Sequence, residues 1–292
     1  MRHLLFLVGA LVLAPQGADA QPAFDSHVHL WNGGTSIAEY ESQAKAAGLT
    51  ISGFGGMWFG GPNQAREGNP DDIAVRNEAL IALAKKHPAM MPIATVHPYD
   101  GAAARDELQR VAGLGVKMLK IHPHTQRFDP ADPRVLALVR RAGELGVIVV
   151  MDNANIVPGG DSEKLFNLAL AAPKTKFVFA HMGGLNFRFW NILKMARTAE
   201  GLFGDNIYFD ISAMVTLAAD APIEEEFIWT MRNVGIDHVL IGSDYPQFSL
   251  AQTLDALDKL DITPAEKAKI RHENARDLFG LPRQGQKGAG GR

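Results

Sequence analysis

Residues 132–152 read Asp-Pro-Arg-Val-Leu-Ala-Leu-Val-Arg-Arg-Ala-Gly-Glu-Leu-Gly-Val-Ile-Val-Val-Met-Asp, and this stretch contains the unit that decides the fold. Asp132 and Pro133 are suited to the cap and the first turn of a helix, and Gly146 is suited to end it. Residues 147–152 then form a short apolar, β-branched run, which predicts a buried strand that ends in a carboxylate. The apolar residues of the predicted helix recur at helical spacing at Val135, Leu138, Val139, Ala142 and Leu145.

The same alternation of helix and strand runs along the chain. Strands are predicted at 23–29, 50–57, 91–97, 116–122, 147–152, 176–181, 206–211 and 238–244. Helical patterns lie between them, and a capping box of Thr263 and Glu266 predicts the start of a C-terminal helix. Eight strands alternating with helices predict an α/β fold, a (β/α)8 TIM barrel in a single domain. The alternative is an open doubly wound sheet, which is disfavoured because no G-x-G-x-x-G motif follows the first strand.

The two ends of the chain differ from the barrel domain, which we expect to span residues 21–280. Residues 1–20 combine a basic start, an apolar run and a terminal Ala18-Asp19-Ala20, a pattern typical of a secretory signal peptide. We therefore expect an exported protein, periplasmic or secreted. No later segment reaches the roughly 18 apolar residues of a spanning helix, so no membrane span is expected after signal removal. Residues 281–292 are rich in glycine and polar residues, which predicts a disordered tail.

Composition narrows the kinds of site that the chain can carry. The 292 residues include no cysteine, which excludes disulfides, thiolate metal sites and cysteine nucleophiles. The formal net charge of -3 provides no strong basic field, so nucleic acid is not an expected partner. We expect a small-molecule substrate, and a homodimer is a fair prior for the oligomeric state. Any bound metal must be held by nitrogen and oxygen ligands.

Polar side chains collect at the ends of the predicted strands, which is where active sites of such barrels lie. His27 and His29 end the first strand, and residues two apart on a strand face the same side. Two adjacent imidazoles suit a divalent metal ion. Six of the ten histidines lie at or just after a predicted strand end, at His27, His29, His97, His122, His124 and His181.

Five motifs, in this order along the chain, resemble the amidohydrolase superfamily. They are Asp25-x-His27-x-His29, Lys120-Ile121-His122-Pro123, Ala180-His181-Met182-Gly183-Gly184, Gly242-Ser243-Asp244-Tyr245-Pro246 and Asn274-Ala275-Arg276. The resemblance is to the amidohydrolase-related group, which includes aminocarboxymuconate-semialdehyde decarboxylase, resorcylate-type decarboxylases and pyrone-dicarboxylate lactonase. It implies that His27, His29 and Asp244 bind one divalent metal ion, usually zinc, with manganese as the other candidate. It also implies two catalytic residues: Asp244, which takes a proton from water in hydrolytic members, and His181, which binds or activates that water.

One position departs from the family pattern. The family commonly has a metal-binding histidine at the end of the fifth strand, where this chain has Asp152-Asn153. Asp152 could act as a ligand or as a partner of another side chain, and Lys120 or His122 could supply the missing ligand from strand four. Metal-free operation also stays open, because some lactonase members work without a metal.

Three further residues are candidate substrate contacts. Arg188 lies in the segment after the sixth strand, and its guanidinium group suits a substrate carboxylate, although ordinary packing at a helix start is the alternative. His124 follows the fourth strand, and Trp58 follows the second and could form an apolar pocket wall.

The leading functional hypothesis is a metal-dependent hydrolase that uses metal-activated water to cleave a C–O or C–N bond. Its substrate would be a small lactone, ester or amide that could carry a carboxylate. The alternatives on the same scaffold are a non-oxidative decarboxylase and a metal-free lactonase. A hypothesis of another class is a catalytically silent, exported binding protein.

Overall fold

The computed structural model describes residues 21–60, 63–155 and 161–281, and its centre is an eight-stranded parallel sheet. The strands pair in chain order, each with the next. They are β1 Ala23–His29, β2 Ile51–Met57, β3 Met90–Thr95, β4 Met118–Ile121, β5 Ile148–Asp152, β6 Phe177–Ala180, β7 Ile207–Asp210 and β8 Val239–Leu240. With helices between successive strands, this order confirms the predicted (β/α)8 barrel.

The helices surround this sheet. They are α1 Gly34–Ala46, α2 Pro70–Ala84, α3 Ala102–Gly113, α4 Pro123–Gln126, α5 Pro133–Glu144, α6 Ser162–Ala171, α7 Ile192–Ala196, α8 Met214–Ala218, α9 Glu224–Val234, α10 Leu250–Lys259, α11 Pro264–Ala268 and α12 Asn274–Phe279. Short 3-10 turns occupy Pro98–Asp100, His181–Asn191 and Ile236–His238, and a π-helical turn occupies Lys269–Glu273.

Two of the predicted helix starts have the expected caps. The side chain of Asp132 accepts a hydrogen bond from the Arg134 amide at 2.8 Å and begins α5, whose apolar stripe is buried. Thr263 and Glu266 form both hydrogen bonds of the capping box at the start of α11. Local sequence signals therefore place these elements correctly, because capping satisfies amides that the helix itself leaves free.

The last strand is shorter than predicted, and this shapes the site. The predicted strand 238–244 is regular only at Val239–Leu240, because the chain turns beyond it and Asp244 adopts a left-handed φ of 59°. Backbone hydrogen bonds still join this turn to β1, from Ser26 N to Ile241 O at 3.0 Å and from Asp244 N to His27 O at 2.9 Å. These bonds bring the end of the sheet back to its beginning.

Alternation along the strands separates an apolar layer inside the barrel from a polar layer at the carboxyl ends of the strands. Met118 and Lys120 share one face of β4, and Ile148 and Asp152 share one face of β5. Met118 and Ile148 belong to a buried apolar cluster that fills the barrel interior together with residues of β1, β3, β6 and β8. Lys120 pairs in register with Val150, and Asp152 follows two residues further along β5, so charged groups lie toward the end where the site is expected.

The predicted signal peptide, residues 1–20, lies outside the described residues. So does the expected tail except for Leu281, whose amide donates to Arg276 O at 2.9 Å and whose side chain packs against the core. None of the helices in the described ranges is long and apolar enough to cross a membrane.

Candidate metal centre and active site

Three acceptor atoms converge where β1 meets the turn after β8. His27 Nε2 lies 3.2 Å from His29 Nε2, and Asp244 Oδ1 lies 3.5 Å from the first nitrogen and 3.1 Å from the second. All three side chains are buried. The structure thus brings together the two histidines and the aspartate that the resemblance assigns to a metal ion.

The outer nitrogens of both rings are already bonded. His27 Nδ1 donates to Asp210 Oδ2 at 3.0 Å, and His29 Nδ1 donates to Phe59 O at 2.5 Å. Because a carboxylate and a carbonyl only accept, the network assigns the ring proton to Nδ1 and leaves a lone pair on each Nε2.

Two lone pairs and a carboxylate oxygen that face one another at these distances repel unless a cation lies between them. A hydrogen bond from the second ring nitrogen is also the usual way in which proteins fix the tautomer of a metal-binding histidine. The donor set of two imidazole nitrogens and one carboxylate oxygen suits zinc and manganese. These residues therefore fit a divalent ion.

Asp25 and a tight turn hold Asp244 in place. Asp25 Oδ1 accepts the amides of Ser243 at 2.8 Å and His27 at 3.1 Å, and Oδ2 accepts the Tyr40 hydroxyl at 3.0 Å. Burial raises the pKa of Asp25 to about 6 despite these bonds. This carboxyl group of β1 thus fastens the strand directly to the turn that carries Asp244.

His181 lies beside this cluster at the end of β6. Together with His27 and Asp244 it offers three ligand atoms that lie within 4.8 Å of one another. Its Nε2 is 3.1 Å from Asp152 Oδ2, and its Nδ1 is 3.0 Å from Ser212 Oγ. Burial alone lowers the pKa of His181, but the hydrogen bond and charge of Asp152 outweigh it and raise the pKa to about 9.

Asp152 pairs with histidines at the other side of the site rather than with the pair on β1. Its Oδ2 lies 3.1 Å from His181 Nε2 and 3.4 Å from His122 Nε2, and its Oδ1 accepts the Ala154 amide at 3.1 Å. Burial raises the pKa of Asp152, yet the charges of His122 and His181 hold it well below its usual value. Of the two readings that the sequence leaves open, this geometry favours a partner of His181.

Lys120 lies on β4, and its side chain is only 1% exposed. No hydrogen bond or ion pair joins its ammonium group to another described residue. Its charge adds to burial in lowering the pKa of His27 to about 4.

Asp210 and Ser212, at the end of β7, are functional residues that the sequence reasoning missed. Asp210 binds His27 through one oxygen and accepts the His181 amide through the other at 3.2 Å, so it supports both histidines. Burial raises the pKa of Asp210, but the charge of His27 and its hydrogen bond hold it far below the usual range. The signal was available, because Asp210 and Ser212 alternate at a predicted strand end as His27 and His29 do.

A cavity of about 790 Å³ opens over these groups. Its lining comprises His122, Asp152, Ala154, Asn155, His181, Gly184, Leu185, Ala213, Met214, Thr216, Leu217, Asp244, Gln247 and Phe248. Several lining residues are held in the left-handed region, with φ of 60° at His181, 59° at Ala213 and 59° at Asp244. Backbone strain of this kind concentrates at functional sites.

The three predicted substrate contacts lie away from this lining. Arg188 binds Glu226 through two hydrogen bonds of 2.5 Å on the surface, so its guanidinium group is already paired with a carboxylate. His124 lines a separate surface cavity of about 550 Å³, and Trp58 lines a small one of about 190 Å³ beside α2. Spacing along the chain placed these residues after strands but could not show which way their side chains turn. His97 is also structural: its Nε2 donates to Gln126 O at 2.8 Å.

Solved structures share this fold at low sequence identity. The chain resembles 5-carboxyvanillate decarboxylase from Sphingomonas paucimobilis with a TM-score of 0.68 and 16% identity, covering 91% of this chain and 100% of that one. The chain also resembles a dihydroxybenzoic acid decarboxylase from Polaromonas sp. with bound manganese and 2-nitroresorcinol. The TM-score is 0.64 and the identity 16%, and the likeness covers 91% of this chain and 98% of that one. A putative 2-pyrone-4,6-dicarboxylic acid hydrolase from Pseudomonas putida has a TM-score of 0.63 and 16% identity, with 90% of this chain and 99% of that one covered. At such identities the likeness shows the fold alone.

Among curated proteins, none matches the sequence. A family model described as amidohydrolase matches residues 24–281, which includes all of the barrel strands except Ala23, the first residue of β1, and includes His27, His29 and Asp244. The chain therefore belongs to the amidohydrolase family.

Proposed function

We propose that this protein is a metal-dependent hydrolase that cleaves a C–O or C–N bond of a small lactone, ester or amide. The observation that carries the proposal is the convergence of His27 Nε2, His29 Nε2 and Asp244 Oδ1, together with the place of Asp244 in the lining of a cavity of about 790 Å³. Asp244 belongs both to this cluster and to the cavity lining, so its carboxylate faces a bound substrate.

His27, His29 and Asp244 would hold the divalent ion, for which zinc and manganese are the candidates. Such an ion supplies Lewis-acid polarisation of the scissile carbonyl and lowers the pKa of water. Burial raises the pKa of Asp244, but the neighbouring histidines lower it overall. Asp244 is therefore ionised at neutral pH and can accept a proton from the attacking water.

His181 supplies positive charge beside the cluster of His27 and Asp244. Asp152 keeps its imidazole protonated at neutral pH, because the pKa of His181 is raised to about 9. A cation fixed beside the carbonyl stabilises the negative charge that develops there during acyl transfer. Asp152 and Ser212 bind the two ring nitrogens and so orient the ring.

Replacing the proposed base tests this mechanism. We expect Asp244→Asn to lower kcat by about 10³-fold or more, because an amide cannot accept the proton and binds metal weakly. The assay would use a panel of lactones, esters and amides with added zinc or manganese, and circular dichroism would verify the fold. Asp237→Asn is the matched control, since Asp237 is exposed and pairs only with Lys269. Turnover that survives in Asp244→Asn would refute the assignment.

A non-oxidative decarboxylase is the second candidate, because six of the solved structures similar to this chain are decarboxylases. Release of carbon dioxide from 2,6-dihydroxybenzoate or 5-carboxyvanillate, with no hydrolysis across the panel, would favour it. Undiminished hydrolysis by chelated protein, in which elemental analysis finds no bound metal, would favour a metal-free lactonase. Ligand binding with no turnover of any kind would favour a binding protein.

Export and a homodimeric state remain proposals that rest on the sequence. If the signal peptide is cleaved after Ala20, mass spectrometry of the protein from the source cells will give a mature chain that begins at Gln21. Light scattering of the purified protein will test the homodimer.

A further inference from the structure

Among the described residues, the outer wall of the active-site cavity carries no ionisable side chain. Four polar groups occupy its floor, at His122, Asp152, His181 and Asp244. The remaining described lining is neutral, and its larger side chains are Leu185, Met214, Leu217 and Phe248.

The polar side chains of this wall are largely satisfied by the protein itself. Asn155 Nδ2 donates to Ser162 Oγ at 3.0 Å and to Gly183 O at 3.0 Å, and Asn155 Oδ1 accepts the Asp161 amide at 3.0 Å. Thr216 Oγ1 donates to Ala213 O at 2.6 Å. Gln247, which is exposed, is the remaining wall side chain with an amide, so the described wall offers a ligand few hydrogen bonds.

Two large apolar side chains of the lining are left in water. Leu185 is 65% exposed and Leu217 is 51% exposed, on the segments that follow β6 and β7. A ligand with an apolar body would cover both and remove that surface from water. A carboxylate in the same place would lose its hydration without gaining a countercharge, which is strongly unfavourable.

The cations that could have served a carboxylate are paired already or lie outside the described lining. His181 is part of the floor, but its Nε2 pairs with Asp152 Oδ2 at 3.1 Å. Arg188 is held by both oxygens of Glu226 on the surface. Lys120 is buried and is not part of the lining.

We infer that the substrate is uncharged away from its reacting group: a lactone or ester with an apolar alkyl or aryl body, and not a dicarboxylate. The ester or lactone as the reacting group rests on the proposed hydrolase function. The uncharged, apolar character of the remainder of the substrate rests only on the residues of the cavity wall.

Paired substrates test the inference. We expect phenyl acetate to be hydrolysed with a kcat/KM at least about 30-fold higher than 4-acetoxybenzoate, which differs by one ring carboxylate. Leu217→Arg places a cation on the wall at an exposed position and should narrow this ratio about three- to tenfold. Leu217→Gln is the control, because it removes the same apolar surface without adding charge, and should leave the ratio within about twofold. Equal rates for the two esters, or an Arg variant that behaves as the Gln variant does, would overturn the inference.

Binding without turnover separates this inference from the hydrolase proposal. Calorimetric titration of protein purified without chelators would compare 1-indanone with 1-indanone-5-carboxylate, neither of which can be hydrolysed. Tighter binding of the neutral ketone, with the difference reduced in Leu217→Arg, supports the inference even if no ester is cleaved. Equal or tighter binding of the carboxylate, or no binding of either ketone, contradicts it.

Discussion

The properties of His27 and His29 depend on groups that lie far from them in the chain. Asp210 is 183 residues from His27 and Phe59 is 30 residues from His29, yet they fix the ring protons of the pair. The sequence reasoning found the two histidines because their spacing is a local property of a strand. Asp210 also lies at a predicted strand end, but nothing local shows that β7 supplies a partner for a histidine of β1.

This dependence predicts the effect of Asp210→Asn. The amide removes the negative charge that stabilises the His27 Nδ1 proton, so the lone pair on Nε2 becomes less available to a cation. We expect the affinity for zinc or manganese to fall about 10- to 100-fold, measured by competition with a chromogenic chelator. Asp237→Asn should bind metal as the parent does, and equal affinity in both variants would mean that Asp210 does not support the site.

At the scale of elements, the turn after β6 lies against the turn after β5. A Cβ on Gly184 would lie 1.9 Å from Ala154 O, and Gly184 has a φ of 56° with a ψ of -139°. This conformation is almost exclusive to glycine. The Gly183-Gly184 pair in the sequence indicated a close approach of this kind, but the partner segment emerged only from the fold.

Two glycine substitutions separate the clash from the backbone strain. Gly184→Ala should cost at least about 3 kcal/mol of unfolding free energy, because it adds a steric overlap to an unfavourable φ. Gly201→Ala, at a φ of 71° with open space around its Cβ, should cost about 1–2 kcal/mol from strain alone. Urea denaturation of both variants gives the comparison, and equal losses would show that the turn adjusts freely.

At the scale of the whole molecule, the proposed metal centre lies at the seam where the barrel closes. His27 and His29 come from β1, whereas Asp244 comes from the turn after β8, and backbone bonds such as His29 N to Tyr245 O at 2.9 Å join the two segments. An ion bound here would connect the first strand to the end of the sheet. Binding to the folded state alone stabilises it by mass action.

Metal removal should therefore loosen the seam more than the rest of the barrel. After exhaustive chelation we expect a lower Tm, which added zinc or manganese restores, and faster amide exchange at Asp244 and His29. The β4–β5 pairing, at Lys120 and Val150, serves as the internal control. If neither the Tm nor the amide exchange rates change when metal is removed or added, the result would contradict a metal ion at this seam.

The sequence by itself determined the barrel, its strand order and the histidines and aspartate at the carboxyl ends of the strands. It could do so because strand alternation, helix periodicity and capping are local, and because parallel strands direct all their carboxyl ends to one face. The tertiary structure decided which of these side chains meet: Asp152 with His181, Asp210 with His27, and Arg188 with Glu226 instead of the cavity. Such pairings depend on the distances and side-chain directions between segments that are remote in the chain, and these are set only when the barrel closes.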